Sequence, residues 1–393
     1  MPGTISRGVR TPIIREGDDI VRIVVDSVLK AAEEEGFSVQ DRDVIAVTEA
    51  VVARAAGNYV SVDQIAEDVK AKLGGGTVGV VFPILSRNRF AICLRGIARG
   101  AKKVVVQLSY PSDEVGNHLV DVDALDDSGV DPYTDVLTVE KFRELFGVVK
   151  HPFTGMDYIQ YYQDVVREEG AEVELILANR PEAILAYTDN IICCDTHTRQ
   201  RTQRRIRNAG GKNVLTMCDI MNEPVGDSGC NAEFGLLGSN KATEESVKLF
   251  PDNAKEVAEA IAAEIFARTG KKVEAMVYGD GAFKDPVGKI WELADPVVSP
   301  GYTDGLAGVP NELKLKYLAD NDFASLSGEE LADAIRGAIA KKDGDLKGNM
   351  AAQGTTPRRL TDLIGSLCDL TSGSGDKGTP VVLVQNYFSN YAQ

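Results

Sequence analysis

The sequence predicts an α/β protein in which residues 77–225 form a doubly wound parallel sheet between two stretches of mixed helix and strand, residues 1–76 and 226–393. Three observations carry this expectation. A chain of 393 residues exceeds one ordinary hydrophobic core, so two or three folding units are expected. In the middle stretch, continuous apolar runs alternate with helical periodicity, the pattern of strands covered on both faces by helices. The triple glycine Gly74-Gly75-Gly76 ends the preceding helical run and marks the first boundary.

The first stretch opens with a short strand. Asp19 is an N-cap candidate for the helix IVRIVVDSVLKAAEEEG, whose apolar residues recur at helical spacing. The strand DVIAVTE runs into a helical AVVARAAGNYV, and Asp63 opens the helix QIAEDVKAKL. In the middle stretch the strand candidates are TVGVVFPIL, KKVVVQLSY, AEVELILAN, DNIICCDT and KNVLTMCDI. Helical segments between them include RFAICLRGIARGA, MDYIQYYQDVVREEG, PEAILAYT and RTQRRIRNAGG, which gives a Rossmann-like or flavodoxin-like unit. The third stretch reads as a long helix after Asp252, the strand KKVEAMVYGDG, a Gly/Pro-rich passage from Gly281 to Pro310, helices near 328–342 and 358–370, and the strand PVVLVQNYF.

Charge narrows the partners. Lys and Arg total 43 against 59 Asp and Glu, a net charge of −16, which argues against nucleic acid or an anionic membrane as the main partner. No apolar run reaches the roughly 18 residues of a membrane span, and the N-terminus has no secretory pattern, so a cytoplasmic location is expected. Cys93, Cys193, Cys194, Cys218, Cys230 and Cys368 show no CxxC spacing and read as reduced core thiols.

In an open α/β sheet the loops after the strands share one edge, where ligands bind. Ser86-Arg87-Asn88-Arg89 follows the first middle strand: Ser86 as a cap, with Arg87 and Arg89 beside a positive helix end, suits a phosphate or carboxylate. Capping plus surface ion pairing accounts for the same residues. Thr196-His197-Thr198-Arg199 is a local basic run that reads equally as a solvated helix face. Asp280, between Gly279 and Gly281 after a strand, suits a metal ligand or a simple turn. The loop from Ser372 to Thr379 suits an anion-binding nest or a flexible loop. Neither common Gly-rich nucleotide fingerprint is present, and there is no GxSxG elbow.

Several of these segments, in order, resemble the coenzyme F420-0:L-glutamate ligase family. TPIIREGDDIVRIV and DVIAVTEAVVARAAGNYV are similar to its opening, and GSNKATEESVKLFPDNAKEVAEAI to its Asp-x-Ser-Asn motif and following helix. GKKVEAMVYGDG is similar to the strand ending in a metal Asp, GDLKG to a Lys-Asp-Leu-x-Gly motif, GTTPRRLTDLIGSL to a Thr-bearing helix, and SGSGDKGTPVVLV to the nucleotide loop. On that resemblance, residues 77–225 are an insertion into a ligase-like unit built from 1–76 and 226–393.

The resemblance implies a GTP- and Mg²⁺- or Mn²⁺-dependent amide ligase that acts as a homodimer and joins L-glutamate to a small-molecule carboxylate acceptor. It implies that Thr11, Pro12, Ile13 and Ile14 contact the nucleotide, with Asn240 and the loop Ser372, Gly373, Ser374, Gly375, Asp376, Lys377, Gly378 and Thr379. Glu49 and Ala50 fall where the family has Ser-Lys, and Arg54 keeps the charge of a second lysine, so Arg54 and Asp280 are the catalytic candidates. Asp280 and Gly281 fall on the metal site; Ser86, Arg87, Arg89 and Asp345 are the substrate-binding candidates. Leu237 stands where a second metal Asp is expected. That departure and the altered Glu49-Ala50 keep open a second reading, a non-catalytic protein that binds a nucleotide or phosphorylated metabolite.

Overall fold

A computed structural model describes residues 3–279, 283–284, 291–292, 298–352, 358–372 and 376–392. The first stretch contains β1 (Ile5–Val9), α1 (Ile20–Glu35), β2 (Val44–Thr48), α2 (Glu49–Ala56), β3 (Tyr59–Ser61) and α3 (Val62–Leu73). Asp19 caps α1 by accepting the Arg22 N–H, as its sequence position predicts. Two details differ from the sequence reading. Tyr59 and Val60, read as the end of a helix, belong to the strand Tyr59–Ser61, because Gly57 in the left-handed region (φ 68°) ends α2. Ser61, rather than Asp63, caps α3, through a reciprocal capping box with Gln64.

The middle stretch contains β4 (Thr77–Val81), α4 (Ala91–Arg99), β5 (Lys103–Leu108), α5 (Val122–Asp127), β6 (Leu137–Thr138), α6 (Val139–Phe146), α7 (Tyr158–Glu168), β7 (Glu172–Leu177), β8 (Asn190–Cys193), α8 (Arg199–Asn208) and β9 (Asn213–Thr216). PEAILAYT forms a tight 3₁₀ turn, Pro181–Ala186, in place of a full helix. The sheet order is β6-β7-β5-β4-β8-β9, parallel except for the edge strand β6. The chain starts at β4, winds out through β5 and β7, then crosses back to β8 and β9. This is the Rossmann-like order, with its reversal between β4 and β8. Val78, Val80, Val104 and Val106 pack beneath α3, α4 and α7, while Val81, Val105, Ile191 and Val214 pack on the opposite face with Ile206 of α8. Both faces are covered, as continuous apolar strands require.

The third stretch contains β10 (Asn240–Thr243), β11 (Ser246–Lys248), α9 (Ala254–Thr269), β12 (Glu274–Tyr278), the paired β13 (Phe283–Lys284) and β14 (Trp291–Glu292), β15 (Gly301–Tyr302), α10 (Leu315–Asp320), α11 (Gly328–Ala340), α12 (Leu360–Ser372) and β16 (Val381–Gln385). Residues from both ends of the chain form a second sheet, β1-β16-β2-β12-β15. Its strands alternate: Ile45, Val47, Ala275 and Val277 face α1 and α9, and Val44, Ala46 and Met276 face Ile364 and Cys368 of α12. A third sheet, β10-β11-β3, joins the two, since Val247, Leu249 and Phe250 share the core of the six-stranded sheet. The six cysteines are free. Among the described residues no helix is long and apolar enough to cross a membrane.

One buried phenol fixes the loop after β4. The Tyr162 hydroxyl donates to the Ile84 carbonyl (2.6 Å) and accepts the Ser86 N–H (2.9 Å). Tyr162→Phe removes that partner from both backbone groups, which keep their bond to each other (3.0 Å), so it is expected to cost about 0.5–1.5 kcal/mol in urea unfolding. The same variant should increase amide exchange at residues 84–89 without changing the far-ultraviolet dichroism.

Candidate functional site

The second sheet brings distant segments to one edge. β1, β2 and β12 all end there and β16 begins there: Val9 lies opposite Val381, Val381 opposite Val47, and Val47 beside Val277. The residues that follow or precede those ends are Thr11–Ile14, Glu49-Ala50, Gly279 and the loop up to Pro380. Thr11 N–H donates to the Gly378 carbonyl (3.3 Å), and Thr48 N–H to the Pro380 carbonyl (3.0 Å). Thr379 Oγ1 in turn donates to the Ser372 carbonyl (2.7 Å). Gly8 lies so close to Thr379 that a Cβ there would meet it at 3.2 Å. Ile14 is buried between this sheet and α1, whereas Ile13 is 82% exposed and Pro12 is exposed, so only the latter two present surface. Gly373, Ser374, Gly375, Asp280 and Gly281 lie outside the described residues.

Glu49, the first residue of α2, is buried, and both its oxygens accept from Lys248 Nζ (2.9 and 2.7 Å). Lys248 on β11 lies opposite Asn240 on β10, so the pair ties the sheet edge to the third sheet. Beside it opens a cavity of about 520 Å³ lined by Ala50, Arg54, Tyr59, Lys241, Ser246 and Lys248, among others. Burial raises the Tyr59 phenol above its ordinary range against the opposing effect of Arg54, so it is a hydrogen-bond donor at neutral pH. With Lys248 neutralised by Glu49, Arg54 and Lys241 supply the cavity's positive charge.

A second cavity, of about 370 Å³, shares Lys241 as a wall and sets Arg87 and Arg95 among the carboxylates of Glu168, Glu169, Glu244 and Glu245, with Ile92, Tyr161 and Val165 beside them. Ser86, a cap candidate, accepts the Arg89 N–H (3.1 Å), but α4 begins only at Ala91, so Ser86 caps the turn before the helix. Arg87 is exposed; Arg89 turns towards the Gly238 carbonyl instead (3.5 Å). Asp113 holds this loop from below, accepting N–H groups of Leu85, Val115 and Asn117. Asn117 passes the network to His151, whose Nε2 lies 2.9 Å from Asn117 Oδ1 while Nδ1 accepts the Thr154 N–H. Burial, with Arg87 nearby, lowers the His151 pKa, so the ring is neutral at neutral pH.

Where the sheet order reverses, the run after β8 is already engaged within the chain. The Glu114 carboxylate accepts from the Thr196 and His197 N–H groups, and Asp195 Oδ2 from the Thr198 and Thr202 hydroxyls. A carboxylate of the chain thus occupies the position at the start of α8 that suits an external anion. Asp345 is exposed and accepts the Lys347 N–H within its own turn (2.8 Å).

A divalent cation needs converging oxygen ligands. Among the described residues no group of three or more His, Cys, Asp or Glu side chains converges. Leu237 is buried in the core that also holds Ile84, Phe90 and Met217, and its own side chain has no donor for a metal. The described residues therefore do not form a metal site, and no catalytic step is assigned to one.

Sequence reasoning missed Lys241, Lys248 and Tyr59. Each sits on a strand of three or four residues, too short to show a period, and Lys241 is signalled only by following Asn240.

A profile of the F420-0:Gamma-glutamyl ligase family matches residues 8–386, a span that includes the middle stretch. The chain belongs to that family. A search of curated proteins finds no match.

The buried pair gives a sharp test. Lys248→Met leaves the Glu49 carboxylate buried and unpaired, so a loss of about 3–5 kcal/mol in urea unfolding is expected. Glu49→Leu combined with Lys248→Met should recover most of it. A single variant as stable as the parent contradicts the pairing.

Proposed function

We propose that this member of the family is a nucleotide-dependent amide ligase that joins glutamate, or a similar amino acid, to a small-molecule carboxylate acceptor. One observation carries the reading. Segments around residues 11–14, 48–54 and 376–380 meet at one sheet edge, next to a cavity whose free charge is cationic.

Amide formation from a carboxylate requires a leaving group on the acyl carbon. Bound nucleoside triphosphate supplies it by phosphorylating the acceptor carboxylate; phosphate then departs as the amine adds and loses a proton. The chain's own part is to bind, neutralise and orient. Arg54 offers a fixed, always-charged guanidinium from the last turn of α2 to polyphosphate oxygens. Thr11 and residues 376–379 offer backbone and hydroxyl groups along the edge. Lys241 and Tyr59 offer donors to a carboxylate in the same cavity. Glu49 in place of a family serine lends its charge to Lys248, so Lys248 orients the wall rather than neutralising phosphate.

Calorimetric titration of GTP tests the reading. The parent should bind, and Arg54→Ala should weaken binding by about 10- to 150-fold, the equivalent of about 1.5–3 kcal/mol for a charged hydrogen bond. Phosphate release should require both L-glutamate and the acceptor, with F420-0 the first acceptor to try. Binding that ignores Arg54, or release that ignores the acceptor, contradicts it.

A further inference from the structure

We propose that Arg95 and Arg99 of α4 are positioning residues for the larger cavity: by gripping Glu245 they hold the turn between β10 and β11, and so set where Lys241 stands. The inference deepens the ligase reading above, on which the cavity's role rests; the grip itself rests on geometry alone.

One short hairpin makes most of that cavity's wall. Of the eight residues that line it, Lys241, Ala242 and Thr243 lie on β10 and Ser246 and Lys248 on β11, against Ala50, Arg54 and Tyr59 from the rest of the chain. β10 buries none of its four residues and is the outer strand of its sheet, so apolar packing does not fix it. Polar contacts do. β11 is anchored by the pairing of Lys248 with Glu49 and by the Glu245 carbonyl, which accepts the Val62 N–H (2.9 Å). At the start of β10 the Lys241 N–H donates to the Asn88 carbonyl (2.7 Å). At the tip, Glu245 Oε1 accepts from Arg95 Nη2 (2.6 Å) and Oε2 from Arg99 Nη2 (3.2 Å), while the Glu244 carbonyl accepts from Arg95 Nη1. The two guanidiniums are fixed beforehand. Both donate through Nε to Glu169, whose side chain is only 6% exposed, and Arg99 Nη1 donates to Asp63 (2.7 Å). An isolated surface pair would contribute little. Here each guanidinium fork is shared between a near-buried carboxylate and the turn, which fixes direction as well as attraction. The six-stranded unit thus orients a cavity to which it contributes no lining residue. Without the Glu245 carboxylate, β11 keeps its anchors and β10 shifts, carrying Lys241 and Thr243. Arg54 and Tyr59, on α2 and β3, stay in place.

The tests use the full chain. In the absence of ligand, Glu245→Ala should raise amide exchange at residues 240–244 about tenfold and leave residues 44–56 and the urea midpoint as in the parent. In phosphate release with GTP, L-glutamate and F420-0, it should raise the Michaelis constant for one of the two carboxylate substrates about tenfold, with calorimetric GTP affinity within about twofold of the parent. Added to Lys241→Ala, the same change should have little further effect, because Glu245 acts through Lys241. Arg95→Met, which removes both tip contacts of that arginine, should act in the same direction as Glu245→Ala. Unchanged exchange in Glu245→Ala overturns the grip. A loss of GTP affinity as large as the rise in the carboxylate constant, or full additivity with Lys241→Ala, overturns the positioning role. A parent that neither binds GTP nor releases phosphate, but whose hairpin loosens in Glu245→Ala, removes the ligase reading and leaves the grip standing.

Discussion

The buried ion pair between Glu49 and Lys248 is the contact on which the arrangement of the site depends. It joins the first residue of α2, at the edge of the sheet built from the chain's two ends, to β11 of the three-stranded sheet. β11 in turn shares the core of the six-stranded sheet through Val247, Leu249 and Phe250. Two charges removed from water are stable only while each satisfies the other, so the pair specifies one geometry more than it adds stability. It also removes Lys248 from the charge available to a ligand. That leaves Arg54, Lys241 and Arg87 as the cations that face open space.

The two larger sheets divide the work differently from what their topologies alone suggest. A doubly wound sheet places its ligand crevice where the strand order reverses. Here that crevice holds the chain's own Glu114 carboxylate, and the adjoining space is packed by Leu236 and Leu237. The six-stranded unit instead contributes its loop after β4, held by Tyr162 and Asp113, to a cavity it shares with Lys241. The sheet built from both chain ends gathers the segments that resemble the family's nucleotide contacts.

Much of the fold was legible because its signals are local. The continuous apolar runs from TVGVV to NVLT gave the parallel sheet, and Asp19 marked the start of α1. What was not legible depends on contacts far apart in sequence. β3, β10 and β11 are three or four residues long and acquire strand character only by pairing, Ser61 with Ser246 and Asn240 with Lys248. Lys248 looks like an ordinary polar residue before an apolar run until Glu49, 199 positions away, is placed against it. Arg87 and Arg89 look equivalent in the sequence, yet the loop aims one at open space and the other at a backbone carbonyl. The candidate segments 11–14, 49–54 and 376–379 came from family resemblance; the folded sheet brings them to one edge. Leu237 was expected to be a departure from a metal ligand, and its burial shows that the position has been given to packing.

Hydrogen exchange of the full chain with and without GTP tests the central claim most directly. If the nucleotide binds at the edge of the sheet built from both chain ends, protection rises at residues 11–14, 48–54 and 376–380 and the loop after β8 is unchanged. Protection confined to residues 82–89 and 194–199, at the reversal point of the six-stranded sheet, would contradict the account.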